Sequence, residues 1–357
     1  IEKAFCAIEL LFAVLLLAFW WRANRKFRVV FLPPLNDLAA SLYLTGFFFS
    51  GGGARFAAPS FSTMIFASFL LLVGYNLRGD EFNFEVWGRR FSFWVISSFS
   101  FGYLSFLMLS KFGGYSFYPS FDCQVLFIPL LYFLWKRKYL KFTLVLLLMF
   151  LSGKRGPFLA ALFAIASYGF FMNRKFFLKF LLSGVVGGGL LILSVSASNF
   201  SNLEKYRKLI DAESYSTGEF WSLVTSGRDI EIRQSFEKLN DNQSWLLGEG
   251  LGFGYDLLNQ SGEAVEKRGY VHVSPLNFIF RYGVVFGGFL ILLIYVVPFF
   301  RLKRLDKFEG AGDFTKIISL MFVFTSVNSL FSYTIAYEWL FWFSLGSVYA
   351  INSRLRS

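Results

Sequence analysis

Three places in this chain bring together residue types that bind anions or move protons. The first is Ser152-Gly153-Lys154-Arg155-Gly156-Pro157. Its two adjacent cations precede a proline suited to the first position of a helix, where a missing N–H costs nothing. Lys154 and Arg155 are thus expected just before a helix N-terminus, whose free N–H groups and dipole also favour an anion. Cations at that end repel it unless an anion or a carboxylate lies between. The second place is Thr225-Ser226-Gly227-Arg228-Asp229, which reads as a helix start with Ser226 as N-cap and Asp229 completing a capping box. Arg228 then falls in the first turn and shares one stripe with Ile232, Phe236 and Leu239, a stripe expected to pack inward, while Arg233 points elsewhere. The third is His272, the only histidine, in Arg268-Gly269-Tyr270-Val271-His272-Val273-Ser274-Pro275. An imidazole takes up a proton near neutral pH, which is what a general base must do. Each place has a plainer reading: headgroup or loop-acid contacts for Lys154 and Arg155, a surface ion pair for Arg228, and a structural imidazole for His272.

Weaker features surround these. Gly248, Gly250, Gly252 and Gly254 imitate a nucleotide loop, but no strand–helix unit encloses them, and a dinucleotide fold is rejected. They read as a plain turn, or as one that lets backbone approach a ligand. Arg281 lies about 13 Å beyond His272 along a helix rising 1.5 Å per residue, and at that depth needs a partner such as Glu338, Asp122 or Asp37. The two cysteines, Cys6 and Cys123, sit inside apolar runs, so no disulfide scaffold is expected, and one histidine with two thiols excludes a four-ligand zinc site.

The elements that must position these residues are written in the composition. The 357 residues are 55% hydrophobic, 21% aromatic and only 16% charged, against about 25% charged in soluble proteins. Apolar runs mark about eleven membrane spans, near 4–21, 29–49, 61–77, 91–110, 121–135, 139–151, 157–172, 177–197, 273–300, 317–334 and 336–352. Basic clusters occupy every second connection: Arg22 to Arg28, Arg78 to Arg90, Lys136 to Lys141, Arg174 to Lys179, Arg301 to Lys316, and Arg354 with Arg356. The positive-inside rule makes that side cytoplasmic. The opposite side carries one large loop, residues 198–271, in which acids outnumber bases. The net charge of +12 is therefore topological and does not indicate nucleic acid. The expected fold is an all-α polytopic integral membrane protein, one domain over 1–357, with short helices in the 198–271 loop. The chain opens on Ile1, so a preceding N-terminal piece is allowed for.

Taken in order, Leu151–Leu162 (LSGKRGPFLAAL), Ser226–Arg233, Trp245–Tyr255 (WLLGEGLGFGY) and His272–Gly287 (HVSPLNFIFRYGVVFG) resemble the O-antigen polymerase and O-antigen ligase superfamily. These stretches cover about an eighth of the chain directly, and the span layout agrees over nearly all of it. Where the family often has His-Asn, Val273 follows His272 here. The resemblance implies a glycosyltransferase of the bacterial inner membrane, with its active site facing the periplasm and undecaprenyl-diphosphate-linked glycans as donor and acceptor. It implies His272, Arg155 and Arg228 as catalytic residues, the arginines on the diphosphate and the histidine on the acceptor hydroxyl. Lys154, Arg233, Arg207, Tyr255, Gly250 and Gly252 are the implied substrate contacts. No cofactor or metal is expected, because the early outer loop at residues 50–59 lacks a carboxylate. Partners would be the lipid-linked glycans, membrane lipids and a chain-length regulator. The preferred member is a Wzy-type polymerase of surface polysaccharide; an O-antigen ligase acting on lipid A core is the nearest alternative, and a lipid-linked glycan flippase the next.

Overall fold

The computed structural model describes residues 67, 70–76, 84–113, 123–152, 154–172, 227–250, 253–258, 264–303, 313–331 and 339–354. The expected spans at 4–21, 29–49 and 177–197, most of 61–77, and loop residues 198–226 lie outside these. The described part is mostly helical, at 83%, and divides between two compact units, 79–226 and 1–78 with 227–357.

The unit formed by 79–226 is a run of antiparallel helices. α1 spans Phe84–Gly113 and α2 spans Phe127–Trp135 after a 3-10 turn at Cys123–Leu126. α3 covers Tyr139–Leu151 and α4 Arg155–Met172. α2 is buried from Phe127 to Leu134, and Gly88 lets α1 approach it so closely that a Cβ would stand 2.6 Å from the Tyr132 ring. The turn into α3 puts Arg137 at a φ of 55°. Arg137 N–H donates to Leu134 O and Lys138 N–H to Phe133 O, a Schellman closure made without its usual glycine. Lys136 then pairs with Glu85 at 2.7 Å. α4 turns Pro157, Ala160, Ala161, Ala164 and Ile165 inward, a helical repeat of small residues. α2 with its 3-10 turn and α3 are apolar but short. The 13 residues of α3 reach about 20 Å at 1.5 Å per residue, less than the about 30 Å of a bilayer's hydrocarbon.

The other unit contains α5 at Arg228–Asp241, strands β1 at Tyr255–Leu258 and β2 at Ala264–Arg268, and α6 at Ser274–Ile291. A π-helical turn, Leu292–Val296, joins α6 to α7 at Val297–Lys303. α8 at Asp313–Phe331 and α9 at Trp339–Arg354 complete it. Two stretches, Ser274–Leu302 and Phe314–Phe331, are long and apolar enough to cross a membrane. The strands depart from the all-α expectation. They pair antiparallel, Tyr255 opposite Arg268 and Asp256 opposite Lys267, with an irregularity between Leu257 and Leu258. Alternation explains them: Tyr255 and Leu257 turn to an apolar cluster while Asp256 stays exposed.

The expected ninth span, 273–300, is not one straight helix. Gly283 has φ 72° and ψ 177°, a conformation essentially reserved for glycine. Beyond it a Cβ on Gly287 would stand 2.4 Å from the Phe278 carbonyl. In a straight helix those residues lie about 13 Å apart, so residues 274–282 fold back on the first turns of 284–303. The latter stretch alone reaches about 30 Å, and Val284, Val285, Phe286, Phe289 and Leu292 are exposed along it. Its inner face joins Phe322 of α8, Phe341, Leu345 and Val348 of α9, and Leu71. Residues 70–76 cross α9 at a pair of glycines: a Cβ on Gly74 would meet the Phe343 carbonyl, and one on Gly346 the Leu71 carbonyl. Ser347 Oγ donates to Gly74 O at 2.8 Å across the same crossing. The π turn is closed by Val297 N–H donating back to Leu292 O. Tyr349 OH donates to Leu293 O at 2.6 Å, and the Arg301 guanidinium lies 4.3 Å over the Tyr349 ring while donating to its carbonyl.

Candidate functional site

α5 begins one residue later than the sequence pattern suggests. Gly227, at φ 78°, is the N-cap, and no side chain caps the helix. The Ser226 capping box is thereby lost, since Asp229 becomes the second helical residue and stands too early to reach back over the cap. The apolar stripe holds: Ile232, Phe236 and Leu239 pack with Phe253, Tyr255, Val271 and Phe280. Phe236 stacks on Trp245 with centroids 5.3 Å apart and meets Phe280 edge-on. α5 also grips the hairpin through side chains. Gln234 Nε2 donates to Leu258 O and Leu258 N–H to Gln234 Oε1, while Lys238 Nζ donates to Gly254 O.

Beside that stripe runs a second buried row, Glu231, Ser235 and Leu239, and Glu231 is its consequence for chemistry. Its side chain is 7% exposed and pairs with Arg268 at the end of β2. His272 Nδ1 lies 2.8 Å from Glu231 Oε2 and 2.9 Å from Oε1, and His272 N–H donates to Oε2 at 3.3 Å. Burial pushes the Glu231 carboxyl up, but the hydrogen bond and charge of His272, its N–H and the Arg268 charge outweigh burial and hold it below the ordinary 4.5. The ionised carboxylate only accepts, so Nδ1 carries a proton and Nε2 is the ring nitrogen not held by Glu231. The imidazole is 27% exposed and meets Tyr270 edge-on at 5.5 Å.

The backbone beneath His272 is fixed from the other side. Buried Asn277, in the first turn of α6, accepts from Val271 N–H at 2.8 Å and donates to Val271 O at 2.6 Å. Val271 is itself fully buried. A carboxylate from α5 and an amide from α6 thus hold the segment carrying the imidazole.

The other expected site residues take varied places. Arg228 is the first residue of α5 and half-buried, three positions before Glu231 and so on the same face. Arg233 is exposed beside Glu237 at 3.8 Å. Tyr255 is a core residue whose OH donates to Tyr270 O at 3.2 Å; burial, with the Glu231 charge, pushes its phenol up. Gly250, at φ 76°, donates its N–H to Arg281 O at 2.9 Å, so this turn brings backbone to backbone. Arg281 Nη2 reaches back to Gly269 O at 3.0 Å, toward the loop and not deeper along a span. Arg207 and Gly252 lie outside the described residues, as do Glu338, Asp122 and Asp37.

Arg155 and Lys154 belong to the first unit. α4 starts at Arg155 and not at Pro157, so Arg155 is its first residue and Pro157 its third, still within the turn whose N–H groups have no helical partner. Lys154 N–H donates to Ser152 Oγ at 3.3 Å, and Ser152 Oγ donates to Met149 O. Phe150 against Phe158 closes the α3–α4 turn. Among the described residues no three His, Cys, Asp or Glu gather as a metal site.

Sequence reasoning missed Glu231, Arg268 and Asn277. A carboxylate four residues before Ser235 and eight before Leu239, in register with an inward face, was the available signal. No family model, curated protein or solved structure matches the chain.

Proposed function

We propose that the chain is a metal-independent membrane glycosyltransferase of the O-antigen polymerase type, moving an undecaprenyl-diphosphate-linked glycan onto a lipid-linked repeat unit. The observation that supports it best is the His272–Glu231 pair. A histidine whose Nδ1–H is held by an ionised carboxylate offers Nε2 as the base, the arrangement general-base catalysis on a hydroxyl needs. In this reading the acceptor hydroxyl attacks the anomeric carbon and its proton passes to Nε2 of His272. The bond from that carbon to the phosphate oxygen breaks, and the carrier diphosphate leaves with the electron pair. Arg228, one turn from Glu231, supplies a guanidinium group for the diphosphate, whose oxygens suit its bidentate fork and whose leaving charge it stabilises; for Arg155 the same role rests on the resemblance alone.

In this reading, with about eleven spans and alternating basic connections on the cytoplasmic side, the chemistry belongs to the periplasmic face of the bacterial inner membrane. The test is genetic and direct. In a deletion strain, the wild-type gene should restore long glycan ladders, while His272→Ala, Arg228→Ala and Arg155→Ala, each still inserted, should yield single repeats only. Normal ladders from all three would overturn the proposal. Accumulated unattached polymer in the deletion strain would identify a ligase instead.

A further inference from the structure

The turn after α5 exposes three large apolar side chains in succession. Leu246 is 68% exposed and Leu247 71%, with Trp245 partly covered by Phe236. Unpaired apolar residues on a mobile loop would mean little, but this turn is fixed at both ends. α5 closes in a Schellman pattern, with Gln243 N–H donating to Asn240 O and Ser244 N–H to Leu239 O. Glu249 accepts from Asn242 Nδ2 at 3.0 Å and from Ser244 Oγ.

The turn is also stitched to the break in α6. Val284 N–H donates to Trp245 O at 2.8 Å, Glu249 N–H to Phe280 O, and Gly250 N–H to Arg281 O, both at 2.9 Å. Contact is backbone on backbone. A Cβ on Gly248 would stand 2.5 Å from the Arg281 carbonyl, and one on Gly283 2.0 Å from the Leu246 carbonyl. Leu246 and Leu247 are therefore held at the residue from which the apolar stretch 284–303 departs. There Val284, Val285 and Phe286 are exposed as well, and the stretch beyond the break reaches about 30 Å, the thickness of a bilayer's hydrocarbon.

We propose that Trp245-Leu246-Leu247 is a membrane-inserted tip whose occupant is the acyl-chain region of the bilayer, continuous with the lipid-facing side of residues 284–300. Its composition, a tryptophan followed by two leucines, suits the border between headgroups and hydrocarbon. Its polar flank, Asn242, Ser244 and Glu249, is closed on itself. The tip seats α5 at a set depth, and with it Glu231. This inference needs only the membrane, not the glycosyltransferase reading.

The test labels single cysteines with an environment-sensitive fluorophore, in a full-length background with Cys6 and Cys123 changed to alanine, reconstituted in phosphatidylcholine nanodiscs. Leu246→Cys and Leu247→Cys are compared with Val285→Cys and with Lys267→Cys on exposed β2. Lipid-borne nitroxide should quench positions 246 and 247 at least about half as strongly as 285, while iodide quenches only 267. Quenching of 285 by the nitroxide lipid, with 246 and 247 open to iodide, overturns the tip and leaves the span standing. Shielding of 246 and 247 from both quenchers means protein covers them, which also overturns it. No lipid quenching at 285 removes the span and the tip together.

Discussion

Replacing Glu231 by glutamine tests how His272 is held. The carboxylate accepts from three donors, His272 Nδ1–H, His272 N–H and Arg268. Glutamine keeps the shape but has one acceptor oxygen, and its amide N–H₂ must face a donor already there. At least one charge-assisted bond is lost, worth about 1.5–3 kcal/mol. If that is the bond orienting the imidazole in the transition state, the rate falls about 10- to 150-fold at 1.4 kcal/mol per decade. The assay is initial-rate polymerisation by purified protein with a lipid-linked repeat unit. Glu231→Gln should lower the maximal rate by that factor, and Glu231→Gln with His272→Ala should be no slower than His272→Ala alone. Full activity in Glu231→Gln, or losses that multiply in the double variant, would refute the orienting role.

Three further outcomes follow from the geometry. Because the folded Glu231 carboxyl lies below its ordinary 4.5, its stabilisation is complete above that pH and is lost as pH falls through the lower folded value. The melting temperatures of wild type and Glu231→Gln, measured in detergent, should therefore converge on acidification below 4.5 and separate above it. Gly283→Ala forces a side chain into a glycine-only conformation, costing about 1–3 kcal/mol, and drives a Cβ into the Leu246 carbonyl; a clear drop in melting temperature and folded yield is expected. Asn277→Ala removes both bonds to Val271, about 1 kcal/mol each, so a thermal shift should accompany reduced turnover, and Asn277→Leu, of similar size, should not rescue either.

Much of the helical layout was readable because hydropathy is a local property. α2, α3, α4, α8 and α9 fall within a few residues of the apolar runs that foretold them. The stripe on α5 was readable for the same reason. The Gly283 bend was hidden because the apolar run continues through it, and only the backbone of a distant turn makes that φ worthwhile. Glu231 was one acid among many until Arg268 and His272 closed on it from across the hairpin, a pairing no local window contains. The start of α5 was misjudged because Ser226 is the better capping side chain, whereas a left-handed Gly227 turns the chain into the helix. The hairpin was overlooked because its strands are short and interrupted by an irregularity.

The π turn at Leu292–Val296 holds one residue more than an ordinary helical turn would need. Everything after it is rotated by about 100°, one residue's worth of helical twist, relative to everything before it. Deleting one residue there would restore regular winding yet swing Arg301 away from the Tyr349 ring and strip Tyr349 of the Leu293 carbonyl. The irregularity thus acts as a phase setter, allowing a single rod to show one side to its neighbours before the turn and a different side after it.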